Sequence, residues 1–500
     1  MELITTTYVD RQVFIMIQPN IVVLIMDTAR AHEITPETAP NITKLASSGV
    51  QFSNTFSTAS WTLPSHASLF TGNPSSKHGA HADHKHLKNT LTTLPGVLQN
   101  QGYGTVAVSN NTWISDEFGF ARDFDIFRKN WQYIQSDVDL GKIAREEEGF
   151  DKVRGVAKHL FDGNPIVNAA NAVYGQFVRR RADDDGAKSS NRWVSDWLND
   201  RDDSDPFFLF INYLEPHLEY RPLEEYTEEY LPEGVSYAEA MEVNQDAWSY
   251  IANNVEMTDR DFKILKALYH AEIAYLDERI GELRRLLEEA GEWEDTIFVV
   301  TGDHGENIGD HGLMDHQYSL HDTLIHVPLV IHGGAFTGGK TVDELVQLTD
   351  IAPTLLDTAG IDTDEFVEES QGQSFHPDAE TEPREYAFAE YMATQPSMEA
   401  LEKRVGDLPE EVYEYDRSLR AIRSHNWKLI RGSDSSIELY HVAEDPTELE
   451  NLASERPEKV SELESELDRW LDSFEHADAT GHADMSDSTK DRLEDLGYLQ

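Results

Sequence analysis

Four short segments of this chain carry side chains able to do chemistry together. They are Asp27-Thr28-Ala29-Arg30, the stretch from Trp61-Thr62-Leu63-Pro64-Ser65-His66 to Leu69-Phe70-Thr71-Gly72, Glu215-Pro216-His217, and Gly302-Asp303-His304-Gly305-Glu306 running on to Gly309-Asp310-His311-Gly312. A carboxylate at one strand end and an Asp-His pair at another offer oxygen and nitrogen ligands to a divalent cation. A hydroxyl at a helix entry can complete that shell and attack a bound anion, because a metal lowers hydroxyl pKa and neutralises charge on a tetrahedral oxyanion. Backbone amides at the start of a helix can hold another oxygen of the anion. Histidines can donate to the remaining oxygens or protonate the leaving group. Each piece alone has a plainer reading: a strand-end Asp as a cap, Thr62 as a helix N-cap, Asp-His-Gly as a turn. The specific signal is their combination in this order.

The elements that must hold these segments are legible as apolar runs. Residues 20–26 (NIVVLIM) form a continuous, β-branched stretch suited to a strand buried on both faces, ending at Asp27. Similar runs are Gly104–Ser109, Phe207–Tyr213, Thr296–Thr301 and Val327–Ile331. Between them lie helical patterns. The clearest opens at Thr258, with Asp261 three positions on as a capping pair, and stops at Gly291. Alternation of strands and helices predicts an α/β fold with a large, mostly parallel sheet flanked by helices over residues 15–361. Residues 130–200, polar and helical, read as an insertion or lid, and 362–384 as an acidic linker. Residues 385–500 read as a smaller C-terminal α+β subdomain. Its strand patterns are Leu419–Ser424, Trp427–Arg431 and Ile437–Val442, the last two joined as a hairpin by Gly432–Ser436, and a final helix carries Leu463, Leu467, Trp470, Leu471 and Phe474.

In this order and with these flanks, the segments resemble the sulfatase family of the alkaline-phosphatase superfamily. That family's signature is Cys or Ser, any residue, Pro, Ser, Arg, then Thr-Gly a few residues on. Thr62-Leu63-Pro64-Ser65-His66 with Thr71-Gly72 looks like it, and Thr301-Gly302-Asp303-His304-Gly305-Glu306 resembles its second metal motif. Pro40–Ala46, Val327-Pro328-Leu329, Asp350–Thr354, Asn426–Leu429 and Glu438–Tyr440 are similar to other family segments. The resemblance implies an alkaline-phosphatase-like fold and a metal site made of Asp27, Asp303 and His304, with Thr62 oxygen as a further ligand and one Mn, Mg or Ca ion bound. It implies that His217 binds substrate and that His316 stands near the family's anion-binding Lys.

The departures bear on mechanism. Thr62 occupies the nucleophile position, where typical members convert Cys or Ser to formylglycine. Threonine cannot give that aldehyde, since oxidising a secondary alcohol gives a ketone. Thr28 stands where many members have a second metal Asp, and His66 replaces the signature Arg. The pattern looks more like phosphonate monoester hydrolases and lipoteichoic acid synthases, the latter with a Thr nucleophile and one metal. A group carried on Thr62 must leave by a second in-line displacement. Water as acceptor makes a hydrolase of sulfate or phosphate esters. A glycan or lipid-linked sugar hydroxyl makes a sulfo- or phosphotransferase. A third reading is a non-catalytic binding protein. Asn111, after an apolar strand, reads as facing the pocket or as a turn residue. His311 reads as structural, and His81, His84 and His86 as a solvated loop.

Composition narrows the class. The 93 Asp+Glu against 41 Lys+Arg give a net charge of −52, spread along the chain, which repels nucleic acid and anionic membranes; the anionic small-molecule or glycan ester substrate is what the family resemblance implies. Such self-repulsion is screened at molar salt, so the composition reads as adaptation to a high-salt organism. The absence of cysteine excludes disulfides and thiolate chemistry. No run reaches the ~20 apolar residues of a spanning helix, and the N-terminus lacks a signal-peptide pattern, so the expected location is cytoplasmic. No feature sets an oligomeric state.

Overall fold

The run Asn20–Met26 forms strand β1, buried along its whole length, at the centre of an eight-stranded sheet. The computed structural model describes residues 18–88, 90–131, 186–201, 205–361 and 364–477. In chain order its strands are β1, β2 (Val50–Phe56), β3 (Gly104–Ser109), β4 (Ile126–Lys129), β5 (Phe207–Tyr213), β6 (Thr296–Gly302), β7 (Asn307–Ile308), β8 (Met314–Asp315), β9 (Leu329–His332), β10 (Lys340–Gln347), β11 (Ala387–Tyr391), β12 (Leu419–Arg423), β13 (Lys428–Gly432) and β14 (Ile437–Tyr440). The large sheet has the order β10-β2-β9-β6-β1-β5-β3-β4. Only β9 runs against its neighbours; the other pairings are parallel. The parallel centre explains why β1, β5 and β6 are continuously apolar, since helices cover both faces.

Register places the chemistry. Met26 pairs with both Tyr213 of β5 and Gly302 of β6, so the residues that follow leave the same sheet edge side by side. Those residues are Asp27, Asp303-His304 and the turn to His217. Ser109 pairs with Asn212 and sends Asn111 to the same edge. This is the carboxyl edge, where open α/β sheets bind their ligands.

Five helices matter here: α1 (Thr62–Thr71), α2 (Ala187–Asp200), α3 (Asp259–Ala290), α4 (Ile351–Thr358) and α5 (Pro457–Leu471). Helix α3 opens with the expected capping box, Thr258 Oγ1 accepting from Asp261 N (3.3 Å) while Asp261 accepts from Thr258 N (2.8 Å), and ends at Gly291 with φ 79°. Its Tyr269 hydroxyl donates to Thr28 O (2.7 Å) and accepts from Arg30 N (2.9 Å), bracing the loop after β1.

The antiparallel sheet β11-β12-β13-β14 alternates its faces. Ala387, Ala389, Tyr391, Ala421 and Ile430 join the main core, while Phe388, Ile422, Leu429 and Leu439 form a second core with Leu463 and Leu467 of α5. Buried Lys428 pairs with Asp322 (2.8 Å) and Glu448 (2.7 Å), tying this sheet to the large domain. The acidic stretch read as a linker carries helix Asp364–Glu369 and is held down, Gln371 N and Gly372 N donating to Gly72 O and Arg384 pairing with Asp350. Of the insertion read over 130–200, residues 132–185 lie outside the described residues, as do 478–500 of the C-terminal part.

Candidate active site

Thr62 is the first residue of α1, with Trp61 in the N-cap position and no side-chain capping bond. Its hydroxyl is used elsewhere. Thr62 Oγ1 lies 3.3 Å from His304 Nε2 and accepts from Asn111 Nδ2 at 3.3 Å. Asn111 Nδ2 also donates to Asp27 Oδ2 at 2.6 Å. His304 Nε2 stands 3.6 Å from Asp27 Oδ1 and 3.4 Å from Asp303 Oδ2. The nucleophile-position hydroxyl, two carboxylates and one imidazole thus converge from β1, α1 and β6, with the β3 loop supplying the amide that orients two of them.

The second shell fixes the ligand atoms. His304 Nδ1 lies 2.9 Å from Gly305 O, which assigns the proton to Nδ1 and leaves the Nε2 lone pair facing the carboxylates. Asp303 Oδ1 accepts from the backbone N–H groups of His304 (2.9 Å) and Thr28 (3.3 Å), turning Oδ2 inward. Thr28, at φ 64°, reaches Asp303 through its backbone and not its side chain. Asp27 Oδ1 and Asp303 Oδ2 are both buried without a hydrogen-bond partner.

Electrostatics supports a cation here. Burial lifts Asp27 to about 6 in spite of the Asn111 hydrogen bond, and burial together with the Asp27 charge lifts Asp303 well above the usual carboxylate range. Burial, reinforced by the nearby His316 charge, holds His304 well below the ordinary imidazole value. Among the described residues no Lys or Arg pairs with either carboxylate. Two orphaned carboxylate oxygens and the inward-facing imidazole lone pair of His304, their ligand atoms all within 4.8 Å of one another, fit a divalent ion.

The remaining expected residues are all nearby. His66, one turn after Thr62, places Nδ1 2.8 Å from Thr62 O and 3.5 Å from Asp303 Oδ2, and burial pushes it down to about 4. It therefore sits behind the carboxylate as a neutral ring, unlike the charged Arg it replaces. His217 and His316 rings stand 5.2 Å apart, and His316 is 4.6 Å from the His304 ring. Burial and His316 lower His217 to about 4. Asn111 faces the site and does not merely cap a turn. Arg30 pairs with Asp310 (2.9 Å), tying the first segment to the fourth. His311 stacks on His321 with centroids 3.6 Å apart, and His81 and His84 exchange backbone hydrogen bonds in a tight turn, in keeping with structural roles.

Sequence reasoning gave no role to Glu306 and Asp315, which are buried against His316 as a second group of candidate ligands. Glu306 lies in a quoted segment and Asp315 immediately precedes His316. The signal was adjacency, and only the pairing of β7 with β8 shows that the two meet.

Comparison with known proteins agrees with this geometry. The Sulfatase profile matches residues 19–361, and the profile for the C-terminal part of N-sulphoglucosamine sulphohydrolase matches 309–476. An arylsulfatase of Clostridium perfringens is 26% identical, the alignment covering 93% of this chain and 97% of that protein. An N-acetylglucosamine-6-O-sulfatase of Bacteroides thetaiotaomicron is 24% identical, covering 85% and 80%. The solved phosphonate monoester hydrolase of Agrobacterium radiobacter shares the fold, with a TM-score of 0.64 at 19% identity over 91% of this chain and 95% of that one. With the family profile running from β1 to just beyond α4, well over half of the sequence, the chain belongs to the sulfatase family.

Proposed function

We propose that this protein is a metal-dependent hydrolase of sulfate esters on an anionic small molecule or glycan, with Thr62 as its covalent nucleophile. The observation that carries the reading is the placement of Thr62 Oγ1, which makes no capping bond and sits between Asn111 and His304 beside two orphaned carboxylates. Asp27, Asp303, His304 and the Thr62 oxygen would hold the ion. When bound, it supplies Lewis-acid stabilisation of the anion and favours the ionised hydroxyl.

The chain's own residues do the rest. Asn111 restrains both Asp27 and the Thr62 oxygen, fixing the direction of attack. Thr62 Oγ1 forms a bond to sulfur as the ester S–O bond breaks, and the departing oxygen takes a proton from His316, with the neutral His217 contacting the anion. Water then attacks the same sulfur, and the Thr62 hydroxyl is restored as sulfate leaves. A threonine ester has no second hydroxyl on its carbon, so elimination is closed to it and this second displacement is required. The relatives named above as an arylsulfatase and an N-acetylglucosamine-6-O-sulfatase support sulfate esters and a glycan substrate. Phosphate esters are the second reading, favoured by the fold shared with a phosphonate monoester hydrolase. None of the three relatives supports the transferase reading, and the retention of Asp27, Asp303, His304 and His217 argues against a non-catalytic binder.

The test is accurate-mass analysis of the Thr62 peptide after brief incubation with an aryl sulfate or an aryl phosphate. The expected result is a sulfated Thr62 that disappears on further incubation in water. Turnover with no adduct on Thr62 under rapid quenching, together with full activity in Thr62→Ala, would remove the covalent step.

A further inference from the structure

One segment runs against the charge of the whole chain. Residues 77–88 (KHGAHADHKHLK) hold three lysines and four histidines against Asp83 alone, in a sequence with 93 acidic and 41 basic residues. The segment leaves the far end of α1 and returns to the residues that follow β3, where Leu87 N donates to Phe118 O at 2.9 Å. The turn closed between His81 and His84 delivers the half-buried Lys85, whose Nζ stands 5.3 Å from the centre of the Trp113 ring. Trp113 belongs to the site's own support. Its N–H donates to Asn111 Oδ1 at 3.0 Å, and its buried ring packs edge-on against Trp61 at 5.5 Å. Trp61 immediately precedes Thr62. Lys85 thus rests on the two aromatic residues that flank the amide and the hydroxyl of the site.

A cation over an aromatic face gains about 0.5–1 kcal/mol, which accounts for where the stem lies. It does not account for the missing anion. Among the described residues no carboxylate pairs with Lys85. Asp83 acts on it only from a distance, and burial pushes its ammonium down to about 8. In a chain so rich in carboxylates, a half-buried ammonium with no anionic partner is ready for a negative group from outside. The net charge of −52 repels every further charge on an incoming anion, so a second one is accepted only where a local cation meets it. We propose that Lys85 is a subsite for a second anionic group of the substrate, a sulfate or carboxylate carried beside the scissile sulfate. The substrate class is then a polyanionic ester. The inference rests on the sulfate-ester hydrolase reading above and adds no step to its chemistry.

The test uses aryl sulfonates, which present the same tetrahedral anion on a C–S bond that the proposed mechanism does not break. They are measured as competitive inhibitors of 4-nitrophenyl sulfate turnover by the metal-loaded full chain at one fixed KCl concentration. Benzenesulfonate and biphenyl-4-sulfonate carry one charge. Benzene-1,4-disulfonate and biphenyl-4,4′-disulfonate carry two at different spacings, and 4′-sulfobiphenyl-4-carboxylate replaces the second sulfonate by a carboxylate. In the wild type at least one doubly charged probe should bind about 10-fold or more tightly than its singly charged parent, the size expected for a charge-assisted hydrogen bond. A larger gain with the disulfonate supports sulfate as the second group, and a larger gain with the carboxylate supports a uronate-like acid. Lys85→Met keeps an apolar stem over Trp113 and should abolish the preference, while Lys85→Arg should keep most of it. Melting curves check that both variants fold, and the ratio of inhibition constants cancels any general weakening of the site. No preference for a doubly charged probe in the wild type, or one that survives in Lys85→Met, would overturn the proposal while leaving the hydrolase reading intact. A wild-type chain that cleaves no aryl sulfate would overturn both.

Discussion

Two substitutions at Thr62 separate an attacking hydroxyl from a helix cap. Thr62→Ser retains a hydroxyl and should keep measurable turnover of a chromogenic ester. Thr62→Ala should lose several orders of magnitude in kcat while its melting temperature stays close to wild type, because no capping bond is lost. A Thr62→Ala variant turning over near the wild-type rate would mean that water is the attacking group. Asp303→Ala makes a different prediction. It removes one of two buried carboxylates facing His304, so the folded variant should bind no divalent ion, read by elemental analysis after gel filtration. A full metal complement there would move the ion elsewhere. Most of these residues were legible in the sequence because each follows an apolar run or opens a helix. The direction of a side chain was not. The sequence allowed Thr62 to be a cap and Asn111 a turn residue; in the fold Thr62 makes no capping bond, and Asn111 both accepts from Trp113 N in the turn and donates toward Asp27 and Thr62. Asp315 and Glu306 were missed because only the pairing of β7 with β8 brings them together against His316.

At the scale of elements, what the sequence revealed followed burial. Strands β1, β3, β5 and β6 and helix α3 were legible from apolar run or periodicity, and the α3 cap was legible from its two side chains. Strands β2, β4, β10 and β11 were missed, as were the two-residue strands β7 and β8. β10 (KTVDELVQ) is an edge strand whose first five residues are partly or fully exposed, so it lacks an apolar run. The ends of β9 and β14 shifted by one or two residues, as strand ends do. Lys428 on β13 offers a test of how the C-terminal sheet is held. Against a burial that would raise it, Lys428 and Arg423 keep Asp322 well below the usual carboxylate range. A depressed carboxylate contributes stability that is complete above its unfolded pKa of about 3.9 and is lost as pH falls toward the folded value. Urea melts between pH 5 and 2 should therefore show a loss that is much reduced in Lys428→Met. At neutral pH that variant leaves Glu448 without its cation and Asp322 with Arg423 alone, and should cost about 3–5 kcal/mol. A neutral-pH cost below about 1 kcal/mol would show the cluster to be solvated.

For the whole molecule, charge sets the working conditions. We propose that the net charge of −52 marks a chain that folds in concentrated salt. Melting temperature should rise as KCl goes from low to molar concentration, where the Debye length falls to about 3 Å. A flat or falling curve would sink the idea. Among the described residues no helix is long and apolar enough to cross a membrane. A large, mostly parallel sheet and a smaller C-terminal sheet with its helix were readable from the change in pattern. What the pattern did not show is that one face of β11–β14 completes the main core, because an alternating strand looks the same whichever layer covers it.

Thr62 also bears on how the protein comes into being. A family member that uses formylglycine must have its Cys or Ser oxidised after translation. Here the oxygen beside His304 is supplied by translation itself. On the proposed mechanism, every folded chain that acquires its ion is competent from the ribosome onward. Preparations from hosts with and without formylglycine machinery should then have the same specific activity, and an unmodified Thr62 peptide is the mature form.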